Sequence, residues 1–469
     1  MADLTCDVAV IGAGTAGIAA ERSARKNGAK TLLIDPYFAG TVCASVGCMP
    51  SKLLIAAAHA AHSVRQAPQF GVHSNAPDIN GRQVMDRVRT YRDQFVQGTK
   101  DGFEALPDGV AIKARARFTG PTTLELDDGR RVNARAIIIA TGSAPMVPEP
   151  FQDLGPRVLT NQTVFELETL PRRLAVIGGG PIGLELAQAM GRLDVDTHLF
   201  DHDTRLGKVR CDAVHAALHT AVSRDVTLHL GTDIVPQAAT DAIHLSWTGA
   251  QTGAQDFDYV LLATGRPPQL AGLDLGASGL DLDDHGTPVF DPHTLQCGDA
   301  PVFIAGDANA HTPILHEASN EGAIAGRNAV AYPASIPSQR SVPFSMIFTD
   351  PPVVTLGASM EDSVVTGVSD YSNQGRAKVE AVNEGTVRLH AAAPEGRLVG
   401  ADLCCPGGEH LGHLLAWAIM QRMTASDLLS MPFYHPTLEE GLRNALRDIC
   451  HATPIPLPGD HDEQGPPGT

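Results

Sequence analysis

Cys43 and Cys48, in the stretch CASVGCMPSK, set two thiols five residues apart, with Lys52 one helical turn further on. That pattern admits a structural disulfide, half of a metal site, or a disulfide made and broken during turnover. Zinc would ask for a second close pair or histidine ligands beside it. The chain past Cys48 instead enters SKLLIAAAHAAHSVRQA, which reads as an apolar helix, so no metal is expected. A bridge closing so short a loop stabilises little, which leaves the staple as the minor reading. A thiolate at a helix N-terminus beside a lysine, by contrast, is favoured by both charge and dipole. A second chemical pair lies almost four hundred residues later, in FYHPTLEEGLRNAL, where His435 precedes Glu440 by five residues. An acid about one turn on can fix an imidazole tautomer, although a helix-capping motif explains the same residues.

The chain that must position these groups has 469 residues, too many for one ordinary core and enough for two to four domains. Its formal charge of −18 argues against a groove that tracks a phosphate backbone, so no nucleic-acid partner is expected. No continuous apolar span of about 20 residues and no basic leader stands out, so no membrane is expected. Eight cysteines are too sparse for a secreted disulfide scaffold, which favours a reducing, cytoplasmic setting.

The strongest pattern is a repeat. Asp7–Asp35, DVAVIGAGTAGIAAERSARKNGAKTLLID, reads as strand, glycine turn, Ala-rich helix and a second strand ending in an acid. Arg173–Asp201 repeats it in register 166 residues later. Each carries Gly-x-Gly-x-x-Gly, as Gly12, Gly14 and Gly17 and as Gly178, Gly180 and Gly183, with Asp35 or Asp201 following 18 residues after the last glycine. The first glycine permits the turn, the second admits a pyrophosphate, and the third lets helix and strand pack closely. The acid suits ribose hydroxyls, and the helix N-terminus faces the phosphates. Two dinucleotide sites imply a donor and an acceptor, with FAD and NAD(H) as the expected cofactors. Two more strands end in Ala-Thr-Gly (Thr141, Gly142; Thr264, Gly265), and PVFIAGDANA ends a strand at Gly306-Asp307.

In that order along the chain, the glycine fingerprint, CxxxxC-x-PSK, Ala-Thr-Gly, second fingerprint, Ala-Thr-Gly-Arg, Ala-Gly-Asp and His-Pro-Thr resemble the class I flavoprotein disulfide reductases. Dihydrolipoyl dehydrogenase, glutathione reductase and mercuric reductase are members. The resemblance spans about residues 5–450. It implies an α/β chain with two Rossmann-like dinucleotide-binding domains of three-layer β/β/α type and a C-terminal α+β dimerisation domain. The expected divisions are 1–148 and 269–340 for the FAD domain, 149–268 for the NAD domain, 341–452 for dimerisation, and a disordered tail over 453–469.

The resemblance also implies roles. Cys43 and Cys48 would form the redox-active disulfide beside the flavin, Cys43 exchanging with substrate and Cys48 touching the ring. His435, oriented by Glu440, would come from the partner subunit of a homodimer and act as base. Lys52 and Glu185 would pair near the flavin and nicotinamide. Gly12, Gly14, Gly17, Asp35, Lys52, Thr141, Gly142 and Asp307 would bind FAD, while Gly178, Gly180, Gly183, Asp201 and Gly265 would bind NAD. Asp203 beside Asp201 disfavours the 2′-phosphate of NADP, with His202 and Arg205 in partial compensation. Dihydrolipoyl dehydrogenase is therefore the expected activity, with a small dithiol or a lipoyl domain as partner.

Val42, Ser45, Gln269 and the His316-Glu317 region depart from the usual pattern, which points to a side branch. A mercuric reductase or another disulfide reductase of the class is the alternative, although the tail shows no adjacent cysteine pair. A redox-sensing or scaffold flavoprotein would not need the full set of catalytic groups. Cys404-Cys405 reads as ordinary strand packing.

Overall fold

The structure, a computed structural model, describes residues 3–358 and 364–454. The runs DVAVI and AIII are apolar without alternation, as befits strands buried on both faces. Both lie in a seven-stranded sheet whose parallel part orders Ala111–Ile112, Thr31–Ile34, Leu4–Ile11, Arg131–Ile139 and Val302–Ile304. Val8 and Val10 feed one core and Ala9 and Ile11 the other, so side-chain alternation separates the two faces. Strand Arg131–Ile139 has a double role. Its first half pairs antiparallel with Thr123–Leu126, and its second half pairs parallel with Val302–Ile304. The third layer of this unit therefore grows from the main sheet.

The second unit repeats the design. Its parallel sheet orders Thr227–Leu230, Asp196–Asp201, Arg173–Ile177, Tyr259–Leu262 and Val158–Leu159. A separate antiparallel meander, Thr232–Ala238, Ile243–Gly249 and Gly253–Phe257, covers one face. Trp247 and Phe257 pack there against Phe200, at ring separations of 5.2 and 6.1 Å.

After residue 341 the pattern changes to an antiparallel sheet, ordered Phe344–Ile347, Val353–Gly357, Arg397–Cys404, Thr386–Ala392 and Val364–Asp370. Helices Gly408–Met420 and Leu442–Ala452 contribute Leu411, Leu415, Leu446 and Ile449 to its core. Cys405 is fully buried in this core and Cys404 in the neighbouring one shared with the second unit, and burial pushes both thiols up, Cys404 to about 12.

Two expectations change. Thr453, read from sequence as the start of the tail, is buried and donates through its hydroxyl to the Ile449 carbonyl at 2.8 Å. The rest of the tail from 455 lies outside the described residues. Helical run Val42–Phe70 is also long and apolar enough to cross a membrane by length and composition alone. It breaks at Gly47, and Leu54, Ala58 and Ala61 are buried with Met85, Val88 and Leu184, so one face of the segment packs inside the fold. Its apolar bias comes from packing between two other helices, Gly81–Glu104 and Pro181–Arg192.

Candidate active site

Thr41 starts the first short helix, Val42–Val46, by accepting from the Ala44 amide at 3.3 Å. Cys43 lies in that turn, and Gly47 separates it from helix Cys48–Gln66, whose first residue is Cys48. Both thiols are free, with Cys43 half-buried and Cys48 exposed. The Cys43 thiol donates to Cys48. That bond is the main cause of a Cys48 pKa lowered to about 7, with Lys52 assisting and burial and Glu185 opposing. The same bond, with burial, raises Cys43. The sequence placed a lowered thiol at a helix start beside Lys52, and the structure identifies it as Cys48. Asn161, a buried side chain of the second unit, donates to the Val46 carbonyl at 2.9 Å and ties the cysteine loop to that unit.

One turn into the cysteine helix, Lys52 Nζ lies 2.6 Å from Glu185 Oε2 on helix Pro181–Arg192. The helix behind the cysteines and the helix behind the second glycine turn therefore meet through one ion pair. Glu185 Oε1 accepts from the Phe348 amide at 3.0 Å, and Lys52 Nζ sits 4.0 Å from the centre of the Phe348 ring. Sequence reading missed Phe348. It stands 163 residues from Glu185 with no motif around it, so only the tertiary contact reveals it.

The two glycine turns are nearly superposable. Gly12 and Gly178 have φ of 105° and 111°, in the left-handed region that glycine favours. A Cβ on Gly17 would meet the Gly12 carbonyl oxygen at 1.8 Å, and one on Gly183 the Gly178 oxygen at 1.9 Å. Gly14 and Gly180 have open space before them and begin helices without any side-chain cap. Asp35 Oδ2 accepts from the Ala13 amide at 3.0 Å, and Asp201 Oδ2 from Gly179 at 2.5 Å. Each acid thus braces its own turn.

The first unit carries further groups suited to FAD. Thr141 Oγ1 is buried without a hydrogen-bond partner, and Gly142, at φ 71°, faces open space. Asp307 accepts from the Ser143 hydroxyl at 2.7 Å. Glu321, 1 % exposed, fixes the loop that carries Asp307 by accepting from the Gly306 amide and from Asn309, each at 2.8 Å. Arg340 holds Glu321 in turn at 2.7 Å. An orphaned hydroxyl, two uncapped helix starts and open glycine cradles fit a dinucleotide in each unit.

The two Ala-Thr-Gly segments pair with each other. Ala144 donates to the Pro267 carbonyl and Met146 to that of Gly265, while Arg266 and Gln269 both reach the Ser143 carbonyl. Burial pulls the Arg266 guanidinium below its usual value, opposed by Asp307 and Cys48. Gln269, a departure from the usual pattern, serves as this latch. Past the end of the Asp196–Asp201 strand, Arg205 is occupied by Asp212 and by the Val209 and Arg210 carbonyls. His202 lies between Asp201 and Asp203, at 3.2 and 3.5 Å.

His435 and Glu440 pair as well. His435 Nδ1 lies 3.2 and 3.1 Å from the two carboxylate oxygens of Glu440, which is 6 % exposed, while His435 itself is exposed. Thr437 N donates to the same carboxylate at 3.1 Å, so the capping and tautomer-fixing readings hold together. Three side chains anchor this loop: Tyr371 donates to the Leu438 carbonyl, Gln374 to Thr437 and Ser369 to Gly441. Within the single chain, the side chains that act on the cysteines, besides burial, are each other and Lys52, with Glu185 acting on Cys48; His435 is not among them.

This chain of groups coincides with a family match over most of the sequence. The pyridine nucleotide-disulphide oxidoreductase family matches residues 6–322, and its dimerisation domain matches residues 343–446. The chain belongs to this family. As a pyridine nucleotide-disulphide oxidoreductase it is a flavoprotein that uses FAD and NAD(H), and its dimerisation domain supports a homodimer. It is 30% identical to a dihydrolipoyl dehydrogenase of Haloferax volcanii, over 95% of this chain and 97% of the relative. It is 31% identical to a mercuric reductase of Shigella flexneri, over 93% of this chain and 80% of the relative. Among solved structures, LpdA of Mycobacterium tuberculosis aligns with TM-score 0.82 at 22% identity, over 94% and 99% of the two chains. The HOCl-induced flavoprotein disulfide reductase RclA of Escherichia coli, solved as a Cu(II) complex, aligns at 0.81 and 19%, over 95% and 99%. These neighbours share the fold.

Proposed function

We propose that this oxidoreductase is an NAD-linked dihydrolipoyl dehydrogenase that oxidises a small dithiol or a lipoyl group. The observation that carries the reading is the His435–Glu440 pair. Glu440 takes Nδ1, which leaves Nε2 as the proton acceptor. In the dimer we place this histidine at the partner's cysteines. His435 Nε2 takes a proton from one substrate thiol, and the resulting thiolate attacks Cys43 Sγ of the Cys43–Cys48 disulfide. The S–S bond breaks and Cys48 leaves as a thiolate, for which a pKa lowered to about 7 is favourable. The second substrate thiol then displaces Cys43. A cyclic disulfide departs, and the enzyme retains both electrons as a dithiol. FAD and NAD(H), when bound, supply the two-electron transfer that returns the cysteines to the disulfide.

The acidic turn at Asp201–Asp203, with Arg205 occupied elsewhere, favours NAD over NADP. Sparse cysteines suit the cytoplasm. A second reading, reduction of Hg(II), is favoured by the mercuric reductase relatives alone. Parallel assays separate the two: dihydrolipoamide with NAD, glutathione disulfide with NADH or NADPH, and Hg(II) with NADPH. Strong turnover of dihydrolipoamide alone is expected. A yellow protein whose cysteines NADH reduces, yet which ignores dihydrolipoamide, would keep the class and discard the substrate.

A further inference from the structure

The segment Ile347–Asp350, which joins the strands Phe344–Ile347 and Val353–Gly357 of the C-terminal sheet, lies along one face of helix Pro181–Arg192. The Phe348 amide donates to Glu185, the Asp350 amide donates to Gln188 at 2.8 Å, and Arg192 holds the Asp350 carboxylate at 2.7 Å. Glu185, Gln188 and Arg192 are spaced by three and four residues, so they form one stripe. This stripe fixes the Phe348 backbone, and the ring beside it meets the Lys52 ammonium at 4.0 Å. The Lys52 side chain retains 31% exposure, so Glu185 alone does not enclose it. A long, solvated ammonium otherwise loses little by swinging into water.

We propose that Phe348 is a positioning residue whose ring face holds the Lys52 ammonium against Glu185 and next to the Cys48 thiolate. The C-terminal domain thereby sets the charge at the cysteines of its own chain, apart from any group the partner supplies. The inference rests on the reading of Cys48 as the thiol that carries negative charge. The charged or titrating groups that act on it are Cys43, Lys52, Glu185 and Arg266. An aromatic face attracts an ammonium through its quadrupole, which an aliphatic side chain of similar bulk cannot reproduce.

The test measures iodoacetamide alkylation of Cys48, read on its own peptide by mass spectrometry, from about pH 5 to pH 9 in the flavin-loaded dimer. A Cys43→Ser background leaves one thiol at the site and keeps a hydroxyl to donate to it. Lys52→Met serves as the reference. Phe348→Leu should move the alkylation midpoint upward by about half to one pH unit, and Phe348→Tyr should restore it. The main-chain bond to Glu185 survives in every variant, so the comparison isolates the ring. A midpoint that moves with Lys52→Met but not with Phe348→Leu overturns the proposal and leaves the Lys52 reading standing. A midpoint that moves with neither overturns both. A shift in Phe348→Leu that Phe348→Tyr fails to restore assigns the effect to packing and also rejects the proposal.

Discussion

The two cysteines are alike in sequence and unlike in environment. Cys48 opens a helix, has Lys52 one turn on and accepts a hydrogen bond from the Cys43 thiol, whereas Cys43 has that same bond and burial against its ionisation. Cys48 is therefore expected to carry the thiolate above about pH 7, and lowering the pH through that value should protonate it. Titrating the thiolate absorbance of the reduced enzyme would check this. A single transition near the ordinary cysteine value would contradict it. Residue types and spacing made Cys43 and Cys48 legible as candidates, whereas His435 and Glu440 read first as a helix cap and became candidates through the family resemblance. Which thiol ionises was not legible, because the hydrogen bond between them depends on the break at Gly47. Phe348 was invisible for a related reason: its partners Lys52 and Glu185 lie on two remote helices.

At the scale of elements, the glycine turns make separable predictions. Gly17→Ala drives a methyl into the Gly12 carbonyl, so the first turn must open. The protein should lose flavin and melt earlier, with a cost of about 1–3 kcal/mol or more for the overpacking. Gly14→Ala meets nothing in the chain itself and should fold normally while retaining less flavin. The ratio of flavin to protein absorbance, measured beside thermal melting, distinguishes the two; equal stability in both variants would refute the geometry. Gly180→Ala should instead raise the KM for NADH and leave flavin content unchanged. The His435 loop has its own support. Tyr371→Phe removes the donor to the Leu438 carbonyl and should cost roughly 0.5–1.5 kcal/mol in chemical denaturation. The repeated strand–turn–helix units were readable because parallel strands and glycine turns leave local patterns. The antiparallel ladder between the Ala-Thr-Gly segments was not, since its register is set by Gly142–Ser143 meeting Pro267–Gln269 across a gap of more than a hundred residues.

At the scale of the molecule, a site completed across two subunits predicts complementation. Mixing Cys43→Ser and His435→Ala chains under exchange should recover about a quarter of wild-type turnover, because each mixed dimer rebuilds one intact site of two. Verified mixed dimers without turnover would argue for a site within one chain. The same whole-molecule view bears on cofactor choice. Gly14 and Gly180 hold almost identical backbone angles, −76° and −173° against −76° and 179°, and the same acid-to-amide brace follows each. The turns are interchangeable parts, shaped for the adenosine diphosphate half that flavin and nicotinamide dinucleotides have in common. Telling one dinucleotide from the other therefore falls to groups outside the turns, such as the buried Thr141 hydroxyl and the Asp307 loop in one unit and the acidic Asp201–Asp203 edge in the other. A graft of one turn onto the other would carry grip without identity, and an engineer seeking a new cofactor would have to rewrite the surroundings.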